Sequence, residues 1–424
     1  NPFVQRPYSP SNPNSVSSRL DIDSLLSTLS LKEKIGQLFV VPANGRFSSE
    51  DKDRYKDLVD LVQHLHVGGI IFMRGDIYGQ AILTNRLQRI SRLPLWITQD
   101  MEYGAAMRVE GTTRFTPAMG IAATGKAANA YLVGKITAIE AKALGVNQMF
   151  APVLDVNNNP DNPVINVRSF SRDPNMVSQF GNAFISGVES EGVVSTAKHF
   201  PGHGDTDTDS HLDLPVVNHD YERLDSLELI PFKSAISKGL SSIMSAHIAY
   251  PSLSDDGLPA TLDRKILNEI LVDSLNFDGI IITDGLEMNG IASKYSPGTA
   301  VVKALQAGAD IMLISPDVET AIHEVEKAIY TGKLTEKRLD RSVRKILNLK
   351  KQHQLFDAKE VDIEHLTRYI DRIEYEAISE RIARESVTVL KNRNDILPIN
   401  AAKYPKIMVL AVADDESGST GSSL

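Results

Sequence analysis

The chain has 424 residues, 42% hydrophobic and 23% charged, the balance of an ordinary soluble globular protein; its length allows two or three domains or one large α/β unit with additions. A formal net charge of −9, with no Lys/Arg-rich stripe, excludes a nucleic-acid backbone as the main partner. There is no cysteine, which removes disulfides, thiolate nucleophiles and Cys-ligated zinc, and no apolar run approaches the roughly 18 residues that span a bilayer.

The opening "NPFVQRPYSPSNPNSVSS" is rich in Pro, Ser and Asn, and residues 1–19 read as a flexible lead-in. Because the first residue is Asn1 rather than Met, a processed or engineered start is expected, with any signal peptide already gone. Together with the lack of cysteine this points to an exported protein, periplasmic or extracellular rather than cytoplasmic.

From residue 20 to 355, short β-branched runs alternate with amphipathic stretches. The runs are "IGQLFVVPA" (35–43), "VGGIIFMRG" (67–75), "LPLWITQDME" (93–102), "VNQMFAPVLDV" (146–156), "VVSTAKHFPG" (193–202), "SSIMSAHIAY" (241–250), "DGIIITDGLEM" (278–288) and "ADIMLISPD" (309–317). Between them lie patterns such as "SEDKDRYKDLVDLVQHLH" and "DRKILNEILVDSL", apolar at three- and four-residue spacing. Eight strands each followed by a helix predict an α/β fold, a (β/α)8 TIM-like barrel. A doubly wound open sheet is the alternative, but no GxGxxG follows the first strand. Five of the runs end in polar or charged residues: Asp100, Asp155, Lys198 with His199, His247 and Asp284. In such a barrel these ends face one mouth.

Beyond the barrel, 356–385 reads as a helical linker with a helix near 371–385. The runs at 386–399 and 406–415 read as strands opening a second α/β domain over 386–424. Too little of that domain follows to bury a core, so a cut within it is expected.

One stretch concentrates ionisable groups: "KHFPGHGDTDTDSHLDLP" (198–215), with three histidines and four aspartates. Asp205, Asp207 and Asp209 have the spacing of a calcium loop, but Ser210 and Val216 stand where Gly and Glu are required. A transition-metal site drawn from His199, His203, Asp205, Asp209 and His211 is a second reading. A solvated surface loop is a third. The fourth is a proton-transfer pair: Asp209 and His211 are two apart, so in an extended segment they share a side, and a carboxylate beside an imidazole fixes its tautomer and raises its pKa.

The loop resembles the signature of family 3 glycoside hydrolases, in the branch that removes β-linked N-acetylglucosamine: K-H-F-P-G-H-G-D-T, then D-S-H, then Pro. "FAPVLDVNNNPDNPVINVRSFSRDP" (150–174) and "ITDGLEM" (282–288) follow the family's order, and the likeness covers roughly 21–400. It implies a retaining exo-glycosidase acting on cell-wall fragments or chitin oligosaccharides, with a small carbohydrate as its partner, neither cofactor nor metal, and a second domain, cut short here, whose missing part packs near the active site. In that reading Asp284 is the nucleophile, His211 the acid/base and Asp209 its orienting carboxylate. Asp100, Arg168, Lys198, His199, Arg108 and Met288 match sugar-binding positions. Two departures stand out. The family often reads D-Q-E-G-G-R-V where this chain has "DMEYGAAMRV", placing Arg108 three residues late, and Gly285 replaces a second Asp after the nucleophile. Most retaining glycosidases use two carboxylates, but an imidazole acid is this branch's pattern. Phosphorolysis stands beside hydrolysis, because an imidazole repels phosphate less than a carboxylate does. The competing classes are a metal-dependent hydrolase and a non-catalytic carbohydrate-binding barrel.

Overall fold

The computed structural model describes residues 15–210, 213–254, 257–400, 402–404, 406, 408 and 410. Each of the eight apolar runs contains one strand: β1 Phe39–Gly45, β2 Gly69–Asp76, β3 Trp96–Gln99, β4 Gln148–Met149, β5 Val194–Phe200, β6 Ser242–Ser245, β7 Ile280–Thr283 and β8 Met312–Leu313. They pair in parallel in the order β7-β6-β5-β4-β3-β2-β1-β8. A parallel bridge between Ile282 and Ile311 links the two ends of that path. The architecture is therefore α/β around a parallel sheet. β5 is buried at all seven positions and β3, β6 and β7 at all four, because helices on one side and facing side chains on the other exclude water from both faces. This is why the runs are continuously apolar rather than alternating.

Helices return the chain between strands, among them Asp53–Gln63, Ile77–Ile90, Ala127–Ala143, Pro174–Glu189 and Pro297–Ala307. Their starts are written locally. Asp76 accepts from the N–H of Gly79, and Asp173 caps a helix whose first residue is Pro174, where a missing N–H costs nothing. The 263–275 pattern forms a π-helix, Lys265–Ser274, in which Leu275 N–H reaches back to Ile270 O. Among the described residues no helix is long and apolar enough to cross a membrane.

The compact unit runs to Ser386, and residues 387–424 form a separate one. The expected linker at 356–385 is corrected by this: it packs on the first unit. Val361 N–H donates to Asn85 Oδ1 at 2.6 Å, Asp371 N–H to Glu140 Oε1 at 3.0 Å, and Lys126 Nζ to Glu385 Oε1 at 3.0 Å. The strand expected at 386–399 is also corrected. Among the described residues there the regular element is one turn, Arg393–Asp395, and Val387, Val389 and Leu390 are exposed. β-branched residues form a strand only where a ladder partner and a face to bury exist, and the described residues of this segment supply neither. Of the run at 406–415, residues 406, 408 and 410 are described and the rest lies outside the described residues.

Candidate active site

At the carboxyl ends of the strands lies a cavity of about 300 Å³, lined by Asp100, Arg108, Arg168, Lys198, His199, Asp284 and Met288 among others. Asp100 directly follows β3. Its Oδ1 accepts from Lys198 Nζ at 2.8 Å and its Oδ2 from Arg108 Nη2 at 2.9 Å. Two residues on, Glu102 receives Arg168 through two bonds, Nε to Oε2 at 2.9 Å and Nη2 to Oε1 at 2.8 Å, and Lys198 Nζ lies 2.9 Å from the same Oε1. The fork of a guanidinium matches a carboxylate in this way, whereas the lysine acts as a point charge between two acids. Burial alone would raise Glu102, but Arg168 and Lys198 hold it well below the usual carboxylate range. Burial would likewise lower Lys198, and Asp100 with Glu102 raises it instead. Glu102, Arg168 and Lys198 are therefore all charged at neutral pH.

A second network starts at Asp155, which is fully buried beyond β4. Its Oδ2 lies 2.7 Å from His199 Nδ1, while its Oδ1 accepts the backbone N–H of His199 at 3.1 Å and of His203 at 2.7 Å. Burial opposes ionisation here, and His199 outweighs it, keeping Asp155 low. The His199 Nδ1–H therefore donates to that carboxylate. His203 bonds Thr206 Oγ1 at 2.9 Å and Ser210 Oγ at 3.1 Å, and burial, with His199 adding to it, pushes its pKa down to about 4.

Asp284 directly follows β7, and its Oδ1 accepts from Gly285 N–H at 2.8 Å. Burial pushes it up, but His199, then His247, then that N–H and Lys198 hold it below the ordinary aspartate value. His247 lies 2.9 Å from Thr261 Oγ1 and 2.9 Å from Gly285 O, buttressing the backbone beside the acid. The arrangement offers an ionised carboxylate at the rim of a strand, lining a cavity together with a network of paired cations and carboxylates.

Of the residues given a catalytic or sugar-binding role from the sequence, seven line this cavity: Asp100, Arg108, Arg168, Lys198, His199, Asp284 and Met288. Asp209 is half-buried and is not among the lining residues, although Ser210 beside it is. His211 lies outside the described residues. Arg108 reaches the cavity despite its displacement in the motif, and its buried Nε has no hydrogen-bond partner. Glu102 was missed by sequence reasoning, while Asp155 and His247 were seen only as strand ends and His203 only in the metal reading. Glu102 carried a usable signal, standing two residues after Asp100 on an extended segment and so on the same side. The metal reading is redrawn. Among the described residues the candidate group is Asp205, His219 and Glu228, with ligand atoms within 4.8 Å; it shares Asp205 with the 199–211 cluster, whose His211 lies outside those residues. Arg223 already supplies a cation there, Nη1 lying 2.8 Å from Glu228 Oε2.

The family profile described as Glycosyl hydrolase family 3 N terminal domain matches residues 30–349. The chain belongs to glycosyl hydrolase family 3. "Beta-hexosaminidase A" of Pseudoalteromonas piscicida is 37% identical over 327 residues, covering 69% of this chain and 55% of that protein. The match thus spans about half of that relative's length. Among solved structures, a family 3 β-N-acetylglucosaminidase from Paenibacillus sp. str. FPU-7 is 38% identical with a TM-score of 0.78, covering 87% of this chain and 70% of the other. The β-glucoside phosphorylase BglX is 28% identical with a TM-score of 0.83, covering 90% of this chain and 69% of the other. The family 3 match takes in all eight strands and every residue that walls the cavity.

Proposed function

We propose that this family 3 chain carries the catalytic part of a retaining exo-β-N-acetylglucosaminidase, built on a complete (β/α)8 barrel. The observation that carries the reading is Asp284: an ionised, sheet-anchored carboxylate in one cavity with Asp100, Arg108, Arg168 and Lys198. The relatives named as hexosaminidases and N-acetylglucosaminidases support the sugar.

In the first step an Asp284 carboxylate oxygen attacks C1 of the sugar. The bond from C1 to the leaving oxygen breaks, and that oxygen takes the proton of His211. In the second, His211 removes a proton from water, the water oxygen bonds C1, and Asp284 departs as a carboxylate. Asp209 orients the imidazole. Asp100 accepts from vicinal hydroxyls, and Arg108 Nε, buried and unbonded in the free protein, donates to a sugar oxygen. Lys198, Arg168 and His199 complete the sugar's polar surround, and Met288 packs against it. Terminal N-acetylglucosamine on cell-wall or chitin fragments is the substrate class, and an exported location suits it.

The test is release of nitrophenol from an aryl β-N-acetylglucosaminide with and without EDTA, reading the first-formed anomer by NMR. EDTA-indifferent release with a β-configured sugar product is expected. An α product sinks the retaining mechanism, and chelator-sensitive release returns Asp205, His219 and Glu228 to consideration. The likeness to BglX supports a second reading, phosphorolysis, in which a phosphate oxygen rather than water bonds C1. Adding inorganic phosphate separates the two, since only phosphorolysis yields the sugar 1-phosphate.

A further inference from the structure

The segment carrying Asp209 and His211 leaves β5 at Phe200 and rejoins the body of the protein at Val217, whose N–H bonds Ala249 O at 2.9 Å. Its outgoing end is tightly held. Asn162 Nδ2 donates to His203 O at 2.8 Å and to Gly204 O at 3.1 Å, and the Tyr250 hydroxyl donates to Gly202 O at 2.5 Å. A Cβ on Gly204 would sit 1.7 Å from Val156 O, so the backbone passes there only without a side chain.

At Asp205 the support changes character. Its Oδ2 lies 2.6 Å from His219 Nε2, fourteen residues further along the chain. Behind the pair stands Arg223, with Nη2 3.9 Å from Asp205 Oδ2 and Nη1 2.8 Å from Glu228 Oε2. Glu228 is 2% exposed, and its other oxygen accepts from Asn158 Nδ2 at 3.2 Å, so the brace is rooted in the interior. None of Asp205, His219, Arg223 and Glu228 is among the residues lining the cavity.

We propose that Asp205 and His219 form a clasp that positions the acid/base segment. The pair ties the two ends of residues 205–219 together at their base, and Arg223 on Glu228 fixes where the knot sits. This rests on the acid/base reading of Asp209 and His211 above. With both ends tied, Ser210 stays against His203 and Asp209 keeps one station beside the cavity. Proton transfer requires donor and acceptor within about 2.6–3.2 Å. A displacement of about 1 Å at a catalytic group costs up to about a hundredfold in rate. Asp205 and His219 are positioning residues, acting through the segment they close and touching no substrate.

Such a role leaves a kinetic signature that general destabilisation does not. Retaining turnover needs the acid in its first step only when the leaving group is poor, and needs the base in its second unless the acceptor ionises unaided. The experiment compares His219→Ala, Asp205→Asn and His219→Gln with the wild type on two substrates: an N-acetylglucosamine disaccharide and a dinitrophenyl β-N-acetylglucosaminide, each with and without azide. In His219→Ala, kcat/KM on the disaccharide falls by about tenfold or more and on the aryl glycoside stays within about twofold. Azide restores the aryl glycoside's kcat, and His219→Gln, which keeps an N–H toward Asp205, recovers most of the disaccharide rate. Equal losses on both substrates overturn the clasp, as does a His219→Gln variant no better than His219→Ala with an unchanged melting temperature. Failure of the wild type on both substrates has a different meaning: it overturns the N-acetylglucosaminidase reading, and the clasp with it.

Discussion

Lys198 and Lys350 are both buried at opposite ends of the same sheet, and their surroundings move them in opposite directions. Lys198 sits at the carboxyl ends between Asp100 and Glu102, and those acids raise its pKa against the pull of burial. Lys350 sits at the amino ends, with Gln37 Oε1 at 2.8 Å and Gly68 O at 2.9 Å as its bonded partners. With neutral oxygens alone to offset burial, it is pushed down to about 7. A buried amine keeps its charge only where opposite charge is built around it. At one end the sequence supplies that compensation and holds charges ready for a polar ligand. At the other it uses a lysine as a hydrogen-bonding strut between the segments that lead into β1 and β2.

The comparison is broken most severely at Asp284. Asp284→Asn keeps the shape and removes the negative charge and the nucleophile, and turnover of an aryl β-N-acetylglucosaminide is expected to vanish while the melting temperature changes little. Next is Glu102→Gln, which deprives Arg168 and Lys198 of a shared carboxylate. Breaking a buried network from one side costs roughly 3–5 kcal/mol, read from the urea midpoint.

His203 sharpens the contrast through pH. Its native pKa of about 4 lies below the unfolded value near 6.5, so as pH falls through 6.5 the unfolded chain takes up a proton first. Stability is lost between pH 6.5 and 4, by roughly 3 kcal/mol in all, and His203→Gln flattens that part of the curve. Lys350 gives a slope of the same sign over a higher pH range. Between its native pKa of about 7 and the unfolded 10.5, the unfolded chain holds the extra proton, so stability rises with pH. Relative to Lys350→Met, the wild type gains about 1 kcal/mol per pH unit from pH 7 to 9, measured by urea unfolding at each pH.

The strands, the polar strand ends and much of the cavity wall were legible in the sequence because each is a local property. A continuous apolar run has one reading when both faces are covered, and Asp284 or Lys198 announces itself by ending or interrupting such a run. What local pattern could not supply was pairing. Lys198 meets Asp100 across 98 positions and Arg168 meets Glu102 across 66, so Glu102 gained its role only from the strand order. Asp155 was visible as a strand end, but its grip on His199 and His203 depends on how β5 and the following turn bring two backbone N–H groups to one oxygen.

The sequence by itself thus determined the α/β class, the eight strands and the identity of the groups able to do chemistry, because burial periodicity and residue type are carried within a few neighbouring positions. The tertiary structure alone decided which charges neutralise one another, that residues 356–386 dock on the first unit, and that Asp205 meets His219. Those outcomes depend on distances between residues far apart in the chain, and such distances exist only once the sheet order and register are set.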